Sequence, residues 1–239
     1  MTNGVLEVQG GGEKDLVGVF AFGAALAVVD QYKMVAVGPG CESDRSGLAL
    51  CSRGAITSVD VHLGAGNDML IAQADVPVAA YGDDGDDAMT TLALSGGLAQ
   101  GPVMFDGGPG DDQLGGGAGG DVLRGGPGAD GLDGHAGDDT LEPGPGQDAV
   151  ADSGGDDTIE ALDGEPDFVD CGSGVDTGVF DALDHAEQCE LGRLPVTRPA
   201  ARINSGSWRP WRPWPARPSR PAARPRRASR STTRDRTGR

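Results

Sequence analysis

The sequence contains few of the residues that build a large hydrophobic core. Aromatic residues occupy 4% of its 239 positions and apolar residues 37%. No uncharged apolar stretch reaches the roughly 18 residues that a membrane-spanning helix needs, so a membrane-spanning helix is not expected. Glycine and proline are abundant instead, with 42 and 16 residues. One large close-packed core is therefore a poor fit to this composition, although the length allows one or two domains.

Basic residues are scarce in the first 192 positions and concentrated in the rest. Residues 1–192 hold 36 acidic and five basic side chains, whereas residues 193–239 hold 14 arginines and one aspartate. An acidic body of this density repels nucleic acid and anionic membranes, so neither is expected as its partner. The same carboxylates need cations to be compact, which makes metal binding the first function to consider.

A nine-residue repeat runs without a gap from residue 107 to residue 160. Its six units are GGPGDDQLG, GGAGGDVLR, GGPGADGLD, GHAGDDTLE, PGPGQDAVA and DSGGDDTIE. Position 4 is glycine, position 6 is aspartate and position 8 is aliphatic in every unit. Low-complexity disorder would not keep three residue types in phase, so that alternative is rejected. Two isolated copies precede the run (residues 63–71 and 82–90), and two weaker copies follow it (residues 162–170 and 171–179).

Four short aliphatic runs precede the repeats, at residues 5–8, 16–22, 25–29 and 34–37. Their length and β-branched content predict strands of a small antiparallel unit. Residues 16–29 offer a second interpretation, as the apolar core of a signal peptide cleaved near residues 25–27. The acidic residues Glu7, Glu13 and Asp15 stand where such signals carry basic residues, so the strand interpretation is preferred.

The tail at residues 193–239 is rich in arginine, proline, serine and alanine, with Trp208, Trp211 and Trp214 at three-residue spacing. Frequent proline forbids helix and sheet, which predicts a disordered, partly polyproline-II segment. Arginine charge and tryptophan stacking would suit contact with an anionic surface or nucleic acid. The alternatives are a tail that folds back on the acidic body and an unselected extension. The predicted organisation is a β-rich N-terminal unit (1–60), a repeat region with a C-terminal cap (61–192) and this tail.

The repeat motif, G-G-x-G-x-D-x-U-x with U aliphatic, resembles the RTX or haemolysin-type calcium-binding repeats. The resemblance implies an all-β protein whose repeats form a right-handed parallel β-roll. Each unit would be a six-residue turn followed by a three-residue strand, and two units would make one coil. Two flanking segments are similar to those of exported proteins with such repeats: the lead-in at residues 41–68, which includes Cys41 and Cys51, and the ending at residues 167–190, which includes Cys171 and Cys189.

The chemistry of the repeat agrees with calcium binding. Glycine permits the positive φ that turns carbonyl oxygens inward, and Ca²⁺ prefers 6–8 oxygen ligands from carboxylates and carbonyls. Every second unit would stack, so Asp112, Asp130 and Asp148 are expected on one edge of the roll and Asp121, Asp139 and Asp157 on the other. The predicted Ca²⁺ ligands are Gly108, Gly110, Asp112, Gly117, Gly119, Asp121, Gly126, Gly128, Asp130, Gly137, Asp139, Asp148 and Asp157.

Several departures from the motif are expected to weaken individual turns. His135 and Pro143 replace glycines, and Asp152–Ser153 replaces a glycine pair, so the sites near Asp148–Asp157 are expected to be weaker than those near Asp112–Asp130. The isolated copies around Asp68 and Asp87 are expected to add strands without a full ligand set. Because short strands bury little apolar area, cation binding is expected to be coupled to folding.

The four cysteines are Cys41, Cys51, Cys171 and Cys189, and no CxxC pair suggests zinc. In an exported protein the simplest pairing is Cys41–Cys51 with Cys171–Cys189. Three connectivities are possible from the sequence, and four buried thiols are the alternative.

No catalytic site is predicted. The segment Asp152-Ser153-Gly154-Gly155 is similar to a protease nucleophile loop, but it lies in register within the repeat, and only His62, His135 and His185 exist as possible bases. Adjacent acid pairs such as Asp138–Asp139 diverge in a turn. We therefore expect a secreted or cell-surface calcium-binding protein without enzymatic activity. The alternative is an accessory secretion or folding module of an exported enzyme, toxin or adhesin.

Overall fold

A computed structural model describes residues 4–12, 14–22, 25–30, 41–43, 48–91, 101–189 and 191–192. The predicted strand at residues 34–37 and the predicted tail at residues 193–239 lie outside these ranges. Within them, the regular elements are 20 β-strands and one short 3-10 helix, Arg53–Ala55. No helix in the described part of the chain is long and apolar enough to cross a membrane.

The strands form two sheets. Sheet I has nine strands in the order β1 (Val5–Gly11), β6 (Ser58–Gly64), β8 (Val78–Tyr81), β10 (Val103–Asp106), β12 (Val122–Arg124), β14 (Thr140–Glu142), β16 (Thr158–Ala161), β18 (Thr177–Phe180) and β20 (Leu191–Gly192). Sheet II has eleven strands in the order β19 (His185–Glu187), β17 (Phe168–Asp170), β15 (Ala149–Ala151), β13 (Gly131–Asp133), β11 (Gln113–Gly115), β9 (Ala88–Thr91), β7 (Met69–Gln73), β2 (Leu16–Phe22), β3 (Ala25–Asp30), β5 (Leu48–Ser52) and β4 (Cys41–Ser43).

The chain alternates between the sheets, so that two consecutive units make one coil of a parallel β-roll, as predicted. In the regular section, parallel partners are separated by exactly two repeat units along the chain: Leu114 pairs with Leu132, and Leu123 with Leu141. Farther along, Val150 pairs with Val169, so this coil is longer by a single residue, which is inserted after the sixth unit. The roll therefore tolerates a single insertion without losing its strand pairing.

The core of the roll is the aliphatic ladder formed by position 8. Its members are buried between the two sheets: Leu114, Leu123, Leu132, Leu141, Val150, Ile159 and Val169. Gly178 stands at position 8 of the last repeat copy, and there the ring of Phe180 occupies the space that a side chain on Gly178 would fill. One buried cluster extends from Leu6 to Phe180.

The N-terminal segment differs from the predicted antiparallel unit. Strand β1 pairs in parallel with β6, and β2 pairs in parallel with β7, so both extend the two sheets of the roll. Only the pairings of β2 with β3, β3 with β5 and β5 with β4 are antiparallel. The prediction was wrong for β2 because Gly10, Asp15 and Val17 have the spacing of repeat positions 1, 6 and 8, which makes residues 10–18 a degenerate repeat. It was wrong for β1 because that strand pairs with the distant strand β6 and not with its neighbours in the sequence. The division of the body at residue 60 stays a prediction.

Two disulfides form with the predicted pairing. Cys41–Cys51 joins the neighbouring strands β4 and β5, and Cys171–Cys189 connects the residue after β17 to the segment after β19. Each closes a short loop, one in the N-terminal part of the roll and the other near its C-terminal end.

Candidate metal centre

The six-residue turns of the repeats line two edges of the roll. We call the turns that lead into sheet I strands edge I, and those that lead into sheet II strands edge II. Asp121, Asp139 and Asp157 lie on edge I, each directly before a strand of sheet I. Asp112, Asp130 and Asp148 lie on edge II, which confirms the predicted separation of the two sets.

One carboxylate oxygen of each aspartate connects consecutive coils. On edge II, Oδ1 of Asp130 accepts a hydrogen bond from the backbone N–H of Asp112 at 2.7 Å. On edge I, Oδ1 of Asp139 accepts from the N–H of Asp121 at the same distance. The edge II series runs through Asp15, Asp68, Asp87, Asp112, Asp130, Asp148, Asp167 and Asp184. The edge I series runs from the N–H of Val103 through Asp121, Asp139, Asp157 and Asp176.

The second carboxylate oxygen is buried and has no protein partner in most of these residues. On edge II this holds for Oδ2 of Asp68, Asp87, Asp112, Asp130, Asp148 and Asp167, and on edge I for Oδ2 of Asp139 and Asp157. Leaving a buried charged oxygen without a partner is costly, and native proteins avoid it unless a ligand or ion is involved. A row of such atoms therefore indicates a cation-binding role.

In the regular units, the glycine at position 1 lies beside Oδ2 of the position-6 aspartate of its own unit and beside a backbone carbonyl oxygen of the following coil. A Cβ atom built on Gly116, at position 1, would lie 2.6 Å from Oδ2 of Asp121 and 2.6 Å from the carbonyl oxygen of Gly134. Gly125 is related in the same way to Oδ2 of Asp130 and the carbonyl of Pro143. The space beside the glycine at position 1 is therefore bordered by a carboxylate oxygen and by a carbonyl oxygen of the following coil, and we call this space the cradle. A side chain at position 1 would fill it.

Glycine at positions 2 and 4 allows this close stacking. Gly126 at position 2 has φ 103°, a conformation that glycine adopts without strain. A Cβ on Gly128, at position 4, would overlap the carbonyl oxygen of Gly110 in the preceding coil. Of the other predicted glycines, Gly108, Gly110 and Gly137 also have positive φ. Gly117 donates its N–H to Oδ2 of Asp121 at 2.5 Å, and Gly119 packs against Pro102.

Burial makes these carboxyl groups poor acids. It raises the pKa of Asp87, Asp130 and Asp139 to about 7, and neighbouring aspartates on the same edge contribute in the same direction. Burial likewise raises the pKa of Asp112 and Asp148 to about 6. The N–H groups that donate to Oδ1 oppose these shifts but do not cancel them. The edges therefore favour any species that brings positive charge to Oδ2, either a proton or a metal cation.

The sequence-based prediction missed several acidic residues on the edges. Asp15, Asp167 and Asp184 extend edge II at both ends. Asp152 forms a group with Asp139 and Asp157 on edge I, and Asp163 forms one with Asp148 and Asp167 on edge II; the carboxylate oxygens in each group lie within 4.8 Å of one another. The spacing within residues 10–18 could have identified Asp15. Asp152 gives no such signal, because position 1 of the repeat is glycine in the regular units and the sequence shows only the loss of that glycine.

The irregular units keep the geometry of the regular ones. His135 has φ 71°, the left-handed conformation that glycine adopts elsewhere at position 2. The carbonyl of Pro143 accepts a hydrogen bond from Gly126 at 2.9 Å. In the isolated copies, Asp68 and Asp87 have the same Oδ1 hydrogen bonds and unpartnered Oδ2 atoms as the residues of the main array. The substitutions therefore leave the local fold of these turns intact.

Part of edge I carries valine at position 6. Val59, Val78 and Val103 are buried there, in the coils that precede Asp121. The N–H groups of Val59 and Val78 donate to the carbonyl oxygens of Pro77 and Pro102, at 2.9 and 3.2 Å. A proline carbonyl of the next coil thus replaces the carboxylate oxygen as acceptor. These turns contain no position-6 carboxylate to attract a cation.

Comparison with known proteins agrees with this geometry. Residues 106–141 match the family model of the RTX calcium-binding nonapeptide repeat, in four copies. No curated protein and no solved structure matches the chain. The matched segment contains the turns of Asp112, Asp121, Asp130 and Asp139, that is, two successive turns on each edge.

Proposed function

We propose, from the RTX calcium-binding repeats at residues 106–141, that the protein binds Ca²⁺ between consecutive turns along both edges of its roll. The proposed ligands are Oδ2 of the position-6 aspartates Asp112, Asp121, Asp130, Asp139, Asp148 and Asp157, with carbonyl oxygens from the turn residues around Gly108, Gly110, Gly117, Gly119, Gly126, Gly128 and Gly137. The protein as a whole is an exported calcium-binding protein without catalytic activity.

The row of buried, unpartnered Oδ2 atoms carries this proposal. Asp112, Asp130 and Asp148 present three such atoms in successive coils of edge II. A carbonyl oxygen of the next coil lies beside the first two of these at position 1. Carboxylate and carbonyl oxygens, without nitrogen or sulfur, are the donor set that Ca²⁺ prefers. The residues present therefore fit calcium better than a softer metal such as zinc or copper.

Binding of Ca²⁺ is coupled to the order of the roll. Each position-6 aspartate already joins two coils through Oδ1, so neutralising its Oδ2 removes repulsion from the element that connects them. Because the ligands come from consecutive coils, the free energy of binding contributes directly to folding. The disulfides Cys41–Cys51 and Cys171–Cys189 suit an oxidising compartment outside the cytosol, where free Ca²⁺ is also plentiful.

A calcium titration of the full chain tests the proposal. Far-UV circular dichroism is recorded after chelation and then during addition of Ca²⁺, with Mg²⁺ in a parallel titration. We expect a gain of β-sheet signal with Ca²⁺ and a much smaller one with Mg²⁺, which demands a tighter octahedral geometry. Equal order in the chelated and calcium-loaded proteins, or an equal response to Mg²⁺, would contradict the proposal.

A matched pair of variants tests whether the carboxylates on the edges are the residues that bind Ca²⁺. Asp130→Asn keeps the size of the side chain and an acceptor for the Asp112 N–H, but removes the charge. Glu160→Gln makes the same change at an exposed residue of the sixth unit. We expect fewer bound Ca²⁺ ions, measured by isothermal titration calorimetry, in the first variant and unchanged stoichiometry in the second. Unchanged stoichiometry in Asp130→Asn would contradict the assignment of this residue.

A further inference from the structure

Asp152 occupies position 1 of the sixth repeat, where the regular units have glycine. Its residue is 8% exposed, and Oδ2 has no partner. Oδ1 accepts a hydrogen bond from the N–H of Gly154 at 2.9 Å, which fixes the carboxylate within its own turn. The glycines at position 1 of other units, such as Gly107 and Gly125, are not among those with positive φ, so aspartate fits this position without backbone strain.

The side chain of Asp152 points into the cradle of the preceding coil. A Cβ atom built on Gly134 would lie 2.6 Å from Oδ2 of Asp139 and would overlap Oδ2 of Asp152. At the equivalent place beside Gly116, the second oxygen is the carbonyl of Gly134 itself. In this one coil, a charged carboxylate oxygen therefore stands where the regular coils present a neutral carbonyl oxygen.

Three carboxylates converge at this point. Oxygen atoms of Asp139, Asp152 and Asp157 lie within 4.8 Å of one another, and Oδ2 of each is buried without a partner. Burial and the two neighbouring carboxylates raise the pKa of Asp152 to about 7, because each of them disfavours a further negative charge. Three hard oxygen donors with up to three negative charges need a cation of at least two positive charges to be stable in a buried position.

We propose that Asp139, Asp152 and Asp157 form a three-carboxylate Ca²⁺ site that fills before the other sites of the roll. The proposal rests on the calcium-binding function proposed above and adds Asp152 as a ligand. Affinity in calcium sites rises with the number of charged ligands and with rigidity, and this site has one more carboxylate than a regular turn. The group of Asp148, Asp163 and Asp167 also has three carboxylates, but Asp163 is not buried and its Oδ2 already accepts a hydrogen bond from the Gly146 N–H at 2.9 Å. The expectation that the Asp152–Ser153 substitution weakens this end of the array is thereby reversed.

Calorimetric titration of the full, chelated chain with Ca²⁺ tests the proposal. Two variants remove the extra ligand: Asp152→Asn keeps its shape, and Asp152→Gly restores the residue of the regular units. Glu160→Gln serves as the control, because it removes an exposed charge of the same repeat. We expect one Ca²⁺ to bind the unaltered chain about tenfold or more tightly than the others. That tight step should be lost in both Asp152 variants, in which the turn of Asp139 and Asp157 should bind Ca²⁺ with the affinity of the regular turns. The Glu160→Gln control should behave as the unaltered chain does.

Other outcomes separate this proposal from the function on which it rests. A tight step that persists in Asp152→Asn and Asp152→Gly, or calcium binding in a single affinity class, would overturn the three-carboxylate site and leave the calcium function intact. Loss of all calcium binding in both variants would make Asp152 a folding residue and overturn its role as a ligand. An unaltered chain that binds no Ca²⁺ would overturn both proposals.

Discussion

Edge I of the roll consists of two sections that close the same backbone turn with different chemistry. In the first section, the N–H groups of Val59 and Val78 donate to proline carbonyls, and the valine side chains are buried. In the second, the N–H groups of Asp121 and Asp139 donate to carboxylate oxygens of the next coil. We call these the valine turns and the aspartate turns.

The turns of both sections support strand pairing, but only the aspartate turns contain position-6 carboxylates that could bind a cation. The strand pairing is parallel and continuous through both sections, from β6 to β16. A neutral acceptor and an apolar side chain are therefore enough to close a turn on edge I. The carboxylates of the aspartate turns add unpartnered charge, which destabilises the roll unless a cation compensates for it. On the proposed function, we therefore expect calcium to be required by the aspartate turns and not by the valine turns.

Removal of calcium should produce the largest difference between the two sections, in the protection of their amide hydrogens from exchange. In the chelated protein we expect the amide hydrogens of Asp121 and Asp139 to exchange at rates close to those of an unprotected chain. The amides of Val59 and Val78 should stay protected, because their proline acceptors are uncharged and remain in place. Hydrogen exchange followed by NMR, with and without chelator, measures both sets in one sample. Equal loss of protection in both would contradict the distinction.

Substitution of a stacking glycine should have the next largest effect. Gly128→Ala places a Cβ against the carbonyl oxygen of Gly110, and we expect it to cost more than about 3 kcal/mol of stability. Gly54→Ala, before the first valine turn, meets no atom within 4 Å and should change stability by no more than about 0.5 kcal/mol. Denaturant unfolding in saturating Ca²⁺ measures the difference. A small effect of Gly128→Ala would mean that consecutive coils are less tightly stacked than the structure indicates.

Acid should affect the aspartate turns and leave the valine turns unchanged. The pKa of Asp139 is raised to about 7, from an ordinary carboxyl value of 3.8. Without calcium, the folded form therefore binds more protons than the unfolded form between these values, so the roll is most stable at low pH and loses stability as pH rises through about 7. Calcium requires the ionised carboxylates, so its affinity should rise over the same interval, by about tenfold per pH unit for each proton displaced.

Calorimetric titrations between about pH 5 and pH 8, in buffers of different ionisation enthalpy, measure both the affinity and the protons released. Calcium affinity that is independent of pH, with no proton release, would show that the carboxyl groups are already ionised in the calcium-free roll. The amides of Val59 and Val78 give an internal comparison, since their protection should not change with pH once intrinsic exchange rates are taken into account.

The smallest effects are expected on the outer face of sheet I. His62 and Tyr81 stack there between valine-section coils, with ring centroids 4.6 Å apart, and Arg124 pairs with Glu142 at 2.9 Å in the aspartate section. Arg124→Gln should cost about 0.5 kcal/mol, and less at high salt, because the pair is exposed. Tyr81→Leu should cost about 1 kcal/mol at any salt concentration. Thermal unfolding at two ionic strengths checks both, and a salt-independent effect of Arg124→Gln would argue against the ion pair.

The regular part of this molecule could be predicted from the sequence because the repeat specifies it locally. Glycine, aspartate and an aliphatic residue recur at fixed positions, and that spacing determined the turn, the edge and the inward ladder of Leu114, Leu123 and Leu132. The resemblance to known repeats supplied the parallel pairing. The sequence allowed three cysteine connectivities, and the simplest of them for an exported protein, which pairs Cys171 with Cys189, is the one that forms.

The remaining features could not be predicted because they depend on which coil a residue joins. Residues 10–18 lie far from the array in sequence, and Leu6 pairs with the distant Val59, so aliphatic content alone suggested a separate antiparallel unit. Val59, Val78 and Val103 carry no repeat signature at position 6, although they occupy the same turns. Within its own unit Asp152 only replaces a glycine, and the stacking of coils is what brings it and Asp157 to Asp139.

The hydrogen bonds between aspartates give the roll a direction. Each Oδ1 atom reaches back to the amide of the coil before it, so Asp130 secures Asp112 and is itself secured by Asp148. A substitution that removes both carboxylate oxygens of Asp130 therefore removes the acceptor of the Asp112 amide, whereas the hydrogen bond from the Asp130 amide to Asp148 is retained. The amide of each position-6 aspartate thus gains its acceptor only when the following coil is in place, so a roll that is shortened at its C-terminal end leaves the amide of its last aspartate without this acceptor.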